Sequence, residues 1–216
     1  MVLDSRDFSD WAAYYDSSVV AAGTGYPFAG YQEVLTRVRQ HVTGSVGPIL
    51  ELGVGTGLLS EPLYAKGVSV WGLDFAQEML RECAKKIPRA LLFRWNLRVG
   101  MPPLGQSFSH IVSTYTLHHL EEGRKLDILA QAIDCLLPGG NLIIGDMGFL
   151  NSRQLRACRQ RYAELWDPDE SVMQADRLLP QVRALGVEAD YEQVSLCAGV
   201  LVVKRRAHSG RANEPG

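Results

Sequence analysis

Residues 49–60 read ILELGVGTGLLS. An apolar run carrying one acid, Glu51, leads into glycines at every second position, Gly53, Gly55 and Gly57. Glycine lets a backbone adopt left-handed conformations and come close to a ligand. A strand that runs straight into such a loop is how an open α/β sheet begins a nucleotide-type site. Three ligands are then in question: a dinucleotide's pyrophosphate, a nucleotide's phosphates, or a group with no phosphate.

The spacing separates these. A triphosphate loop needs G-x-x-x-x-G-K-[ST], and Leu58–Leu59 follow Gly57 with no lysine. The dinucleotide pattern is G-x-G-x-x-G, whose third glycine allows close helix–strand packing. Here that position falls on Leu58. A carboxylate two residues ahead of the first glycine would repel a pyrophosphate and suit a cation, such as an α-amino group or a sulfonium. A nicotinamide-dependent oxidoreductase is therefore the weaker alternative.

Working outward, strands and helices alternate. VSVWGLD (68–74) predicts a second strand, FAQEMLRECAKKI (75–87) a helix, and ALLFRWN (90–96) a third strand. FSHIVSTYTLHHL (108–120) holds a fourth. EEGRKLDILAQAIDCLLPGG (121–140) predicts a long helix with a Pro-Gly-Gly stop, and NLIIGDM (141–147) a fifth strand. TGLLSEPLYAKG (56–67) predicts the first crossover helix, stopped by Gly67. Ahead of the sheet, 7–20 and 31–42 have helical periods, with Phe8, Trp11 and Tyr15 on one face; 21–30 is a glycine-rich loop. Beyond it, 150–184 reads as mostly helical, 187–206 as a β-hairpin, and 207–216 as a disordered tail. Five alternating strands imply a parallel sheet covered by helices on both faces. Right-handed crossovers put the ligand crevice at the carboxyl ends of strands one and four. Gly53 to Gly57, Asp74, Asn96, Ser113 to His119 and Asp146 all fall just past strand ends.

The chain of 216 residues suffices for one α/β domain. A net charge of −2 supplies no field that would draw it to nucleic acid or anionic lipid. The basic group Lys204–Arg205–Arg206 reads as a solvated strand end. Cys83, Cys135, Cys158 and Cys197 form no C-x-x-C pair, so free thiols of a reducing cytosol are expected, with no metal site. The first residues lack the pattern of a signal peptide, and no apolar run approaches a membrane span. The expectation is a cytoplasmic protein.

Asp74 ends the second strand about twenty residues after Gly53, the place of a ribose-binding acid. The other reading, that it caps the following helix, is the weaker one. At this point the motifs ELGVGTG, GLDFAQEML, IVSTYTLHHL and LLPGGNLIIGDM together resemble the successive motifs of the class I S-adenosylmethionine-dependent methyltransferases. The resemblance runs from about Asp7 to Arg205. With DFSDWAAYYD, the first and third of these motifs are also similar to the small bacterial YrrT-type methyltransferases.

The resemblance implies a Rossmann-like, doubly wound sheet of seven strands in the order 3-2-1-4-5-7-6, the last antiparallel. It implies one domain over 1–206, with a helical lid in 1–45 and a helical cover in 150–184. The cofactor would be S-adenosyl-L-methionine, leaving as S-adenosyl-L-homocysteine. Gly53, Gly55 and Gly57 would line its methionine part, with Glu51 near the amino group. Asp74 would take both ribose hydroxyls, since a carboxylate only accepts and a vicinal diol donates twice. Phe75, Met79 and Leu97 would lie against the adenine; for Met79, core packing is an equal reading. The family usually carries an acid after strand three. This chain has Asn96, which accepts only through a neutral amide oxygen. Ser113 is expected to touch the cofactor, with Thr114 and Tyr115 facing either ligand. Tyr15 in the lid is expected over the methionine part, with Tyr26 a weaker candidate. The [DNS]-P-P-[YFW] motif of nucleic-acid base methyltransferases is absent, so a small-molecule acceptor is expected. His118 and His119 read either as a general base or as packing and capping residues, and the sequence shows no third ligand beside them. No catalytic residue is assigned.

Overall fold

The computed structural model describes residues 12–21, 25–44 and 47–205. The expectations for Phe8, Trp11, Arg206 and the 207–216 tail fall outside these residues. The strands are β1 (Ile49–Leu52), β2 (Val70–Asp74), β3 (Leu91–Arg94), β4 (Phe108–Thr114), β5 (Leu136–Phe149), β6 (Met173–Gln174), β7 (Glu188–Gln193) and β8 (Ala198–Lys204). The helices are α1 (Tyr15–Ala21), α2 (Tyr31–His41), α3 (Ser60–Ala65), α4 (Gln77–Lys86), α5 (Glu122–Asp134), α6 (Ser152–Arg161) and α7 (Ala175–Arg183). Single 3₁₀ turns cover Ala12–Tyr14, Leu97–Val99 and Leu117–His119.

The main sheet runs β3-β2-β1-β4-β5-β8-β7. Its first four pairings are parallel, and β8 is antiparallel to β5 and β7. This is the expected seven-stranded order. One addition shifts the numbering: the two-residue β6 pairs with the end of β5, at Gly148 and Phe149. Strand order reverses between β1 and β4, so their carboxyl ends open a crevice there. β1 is buried along its whole length, as expected of a central parallel strand covered on both faces.

Three expected boundaries move, each for a backbone reason. Gly55 and Gly57 take φ of 52° and 86°, incompatible with a right-handed helix, so α3 begins only at Ser60. The helix expected over 121–140 stops at Asp134, because residues 136–140 already belong to β5. Leu136 pairs with Phe108, and an irregularity follows before His110 meets Asn141. The Pro-Gly-Gly stretch thus stops no helix but bends a strand. A Cβ on Gly140 would lie 2.7 Å from the Ser109 carbonyl oxygen. Between α6 and α7, residues 162–172 are not helical. Arg205, expected to be solvated, instead donates to the carbonyls of Ile133 and Asp134 at 3.2 and 3.0 Å and to that of Leu136. It satisfies the orphaned carbonyls at the end of α5.

Helix α2 buries Val34, Leu35 and Val38 in one cluster with Val112, Ile143 and Val200 of the sheet. The close approach depends on Gly145 of β5. A Cβ there would stand 2.5 Å from Val34 Cγ1 and 2.8 Å from Val38 Cγ2. Among the described residues, no helix is long and apolar enough to cross a membrane. Replacing Gly145 by Ala is expected to push α2 off the sheet and cost roughly 1–3 kcal/mol, as overpacking does. A urea titration of the variant reads this as a lower midpoint; an unchanged midpoint would contradict the packing.

Candidate active site

A cavity of about 250 Å³ opens at the carboxyl ends of β1, β2 and β4. Its floor is the glycine loop. Gly53 and Gly55 line it, and a Cβ on Gly55 would meet no atom within 4 Å, so bare backbone faces the space. Gly53, at φ 72°, is required for another reason. Its Cβ would stand 2.1 Å from Thr116 Oγ1, so the glycine lets the loops after β1 and β4 touch.

Asp74 ends β2 at the cavity edge. One carboxylate oxygen accepts from the Gly55 N–H at 2.8 Å, the other from the Ala76 N–H at 2.9 Å. The same side chain therefore anchors the glycine loop and starts the turn into α4. A carboxylate has about four acceptor sites, so roughly two remain for a ligand. Burial raises the Asp74 carboxyl against these backbone bonds.

Phe75, Met79 and Leu97 give this end of the cavity an apolar wall. Met79 also packs with Ala12 and Ala76, so its core and cavity roles coincide. Asn96 lines the cavity, but its Oδ1 accepts from the Arg98 N–H at 3.0 Å and caps the 3₁₀ turn. The amide oxygen expected to face a base is thus shared with the backbone. Trp95 and Arg98 line the same end.

Tyr15 closes the cavity from above, its hydroxyl 3.4 Å from that of Tyr31. Burial pushes its phenol up to about 12, so it stays a neutral hydroxyl. The next residue ties α1 to the glycine loop and to α4. Asp16 accepts from the Thr56 hydroxyl at 2.5 Å and pairs with Lys86. Tyr26 does not reach the cavity; its ring stacks with Tyr162 and Trp166 at 5.4 and 5.5 Å.

Three residues expected at the cofactor lie behind the wall. Glu51 is buried beneath the glycine loop, accepting from the Ser60 hydroxyl with Arg39 in electrostatic reach. Being central in β1, its side chain leaves through a face of the sheet, not through the strand end. Burial pushes its carboxyl up to about 8. Gly57 faces Cys83 Sγ, 3.0 Å from where a Cβ would stand. Ser113 is fully buried, its hydroxyl donating to the Leu52 carbonyl at 2.8 Å across the β1–β4 pair. Its neighbours Thr114, Tyr115 and Thr116 line the cavity in its place. Tyr115 holds φ at 48°, stacks on Tyr31 at 4.6 Å, and has a buried hydroxyl with no hydrogen-bond partner among the described residues.

His118 and His119 part company. His119 lines the cavity; burial, then the neighbouring His118, push its ring down to about 3. His118 is buried with Nδ1 2.6 Å from Asp146 Oδ1. Asp146 also accepts from the backbone N–H groups of Leu117, His118 and Met147. Burial alone would neutralise both partners. Their mutual attraction outweighs it, raising the His118 ring and lowering the Asp146 carboxyl.

A glycine floor, a carboxylate with spare lone pairs and an apolar wall fit an amino acid–nucleoside. Comparison with known proteins bears on the same point. Residues 49–140 match the model of a methyltransferase domain family. An uncharacterised methyltransferase of Geobacillus kaustophilus is 35% identical over 153 residues, 69% of each chain. The chain belongs to the class I S-adenosylmethionine-dependent methyltransferases. Another uncharacterised methyltransferase, from Oceanobacillus iheyensis, is 34% identical over 66% of each chain. Solved structures share the fold at lower identity. DhpI in complex with SAH superposes with a TM-score of 0.68 at 18% identity, covering 94% of this chain and 95% of that one. The magnesium protoporphyrin IX methyltransferase of Synechocystis with bound SAH gives 0.64 at 15%, covering 94% and 100%. The family's methyl donor is S-adenosylmethionine, and the nicotinamide alternative falls.

The buried Glu51 makes a pH prediction. Its pKa is raised above the unfolded value near 4.5, so the native state holds the proton longer. Its share of stability is therefore full below pH 4.5 and is lost as pH rises toward 8, by order of a few kcal/mol. Glu51→Gln is expected to flatten this slope in denaturant titrations between pH 5 and 8. Parallel profiles for the two proteins would contradict a buried, protonated Glu51.

Proposed function

We propose that the protein transfers a methyl group from S-adenosylmethionine to a small-molecule acceptor, within a single domain spanning 1–206. The observation that carries this is a cavity at the carboxyl edge of the sheet that brings a carboxylate, apolar side chains and aromatic rings together. Asp74, Phe75, Met79 and Leu97 line it together with Tyr15, Thr114, Tyr115 and His119. When bound, the cofactor supplies an activated methyl on a sulfonium sulfur, open to in-line displacement.

The chain's own residues bind and orient. Gly53 and Gly55 offer backbone to the methionine part, and Asp74 offers its two remaining acceptor positions to the ribose diol. Phe75, Met79 and Leu97 cover the base, where Asn96 provides a partner of no charge. Tyr15, held by Asp16, closes the lid over the reacting end and excludes water. Holding an acceptor in line with the methyl accounts for roughly 7–11 kcal/mol in well-oriented systems. Glu51 and Ser113 position the loops and touch neither ligand. A small acceptor is supported by the limited size of the cavity, about 250 Å³, and by the net charge of −2, which offers no attraction to a polyanion.

Calorimetric titration is expected to show S-adenosylmethionine and S-adenosylhomocysteine binding one site per chain, and NADH none. Asp74→Ala is expected to weaken both by about 10–100-fold, the worth of one or two hydrogen bonds to a charged group. Incubation with methyl-labelled cofactor and a metabolite mixture should move label into small molecules. Cofactor binding with no label transferred to any small molecule would overturn the acceptor reading.

A further inference from the structure

The loop after β4 and the segment between α6 and α7 meet beside the cavity. The Ser171 N–H donates to the His118 carbonyl at 2.8 Å, which brings Glu170 against the two histidines. Donor atoms of His118, His119 and Glu170 all lie within 4.8 Å of one another. The pair His118 Nε2 and Glu170 Oε1 stands at 3.7 Å, too far for a hydrogen bond and close to a shared-ligand separation.

His118 is already set up as a ligand. Its Nδ1 stands 2.6 Å from the buried Asp146 Oδ1, so a neutral ring keeps its proton on Nδ1, and an ion that displaces the second proton finds the Nε2 lone pair. A carboxylate behind an imidazole in this way is the common outer shell of a metal-bound histidine.

We propose that His118 Nε2, His119 and Glu170 form a binding site for one divalent transition-metal ion of zinc-like preference, at the wall of the cavity. Two imidazoles and a carboxylate suit such an ion, which takes nitrogen at about 2.0–2.1 Å and a carboxylate oxygen at about 2.0–2.2 Å. Donors of a tetrahedral ion then stand roughly 3.4 Å apart, so the triad closes by about 1 Å, mostly through the half-buried Glu170 side chain. Asp146 and Glu170 supply two negative charges toward the dication, and the buried Lys125 opposes it. His119 lines the cavity, so an open coordination position would face it. The site goes beyond the methyl-transfer reading and stands or falls without it.

The test uses the full chain, stripped with a chelator and titrated with Zn²⁺ by calorimetry and with Co²⁺ by visible absorption. One equivalent is expected per chain, with the visible bands of a four- or five-coordinate Co²⁺ that Zn²⁺ displaces. Glu170→Gln and His119→Ala, both partly exposed positions, should each weaken binding by at least about tenfold. Circular dichroism confirms that each variant is folded. No stoichiometric binding by the folded wild type, or equal affinity in wild type and both variants, would overturn the site.

Discussion

The structure turns on one carboxylate held by two backbone N–H groups. Asp74 takes the Gly55 N–H on one oxygen and the Ala76 N–H on the other. It thereby joins the loop after β1 to the loop after β2. The glycines supply conformational freedom, and freedom alone would leave the loop unplaced. Asp74 removes it at the residue whose backbone faces the cavity. From the other side, Thr116 fills the space that a side chain on Gly53 would need. From above, Asp16 binds Thr56 and Lys86 and sets Tyr15 over the opening. Loops, α1 and sheet then share one geometry, which is what orientation catalysis requires.

Much of this was legible in the sequence because it is local. The strand–glycine–helix pattern implied a parallel sheet with its crevice between strands one and four, since right-handed crossovers leave few topologies, and the family resemblance implied the full strand order. Asp74 could be placed because it ends β2, and Phe75 and Leu97, expected from the resemblance, lie within three residues of a strand end. Ser113 and Glu51 show the limit of that rule. Each sits at or near a strand end, but side chains alternate between faces, and spacing does not tell which face meets the crevice. The fourth loop illustrates this: Ser113 turns back to the Leu52 carbonyl, and Thr114 to Thr116 reach the cavity.

Long-range partners left no local mark. Nothing near Asp16 announces Thr56, forty residues away, or Lys86, seventy residues away. The histidine pair lacked a third partner in sequence because Glu170 arrives from a non-helical stretch read as helix. The end of α5 was misplaced for a similar reason. Proline and glycines read as a helix stop, but in a strand they mark a bend where backbones come close.

The central claim is that the Asp74 carboxylate both pins the loop and receives the ribose diol. The most direct measurement compares binding of S-adenosylhomocysteine and its 2′-deoxyribose analogue to the wild type and to Asp74→Asn. The account predicts that the wild type discriminates against the deoxy analogue by roughly tenfold or more, and that the variant binds both alike. Equal discrimination by the two proteins would contradict it.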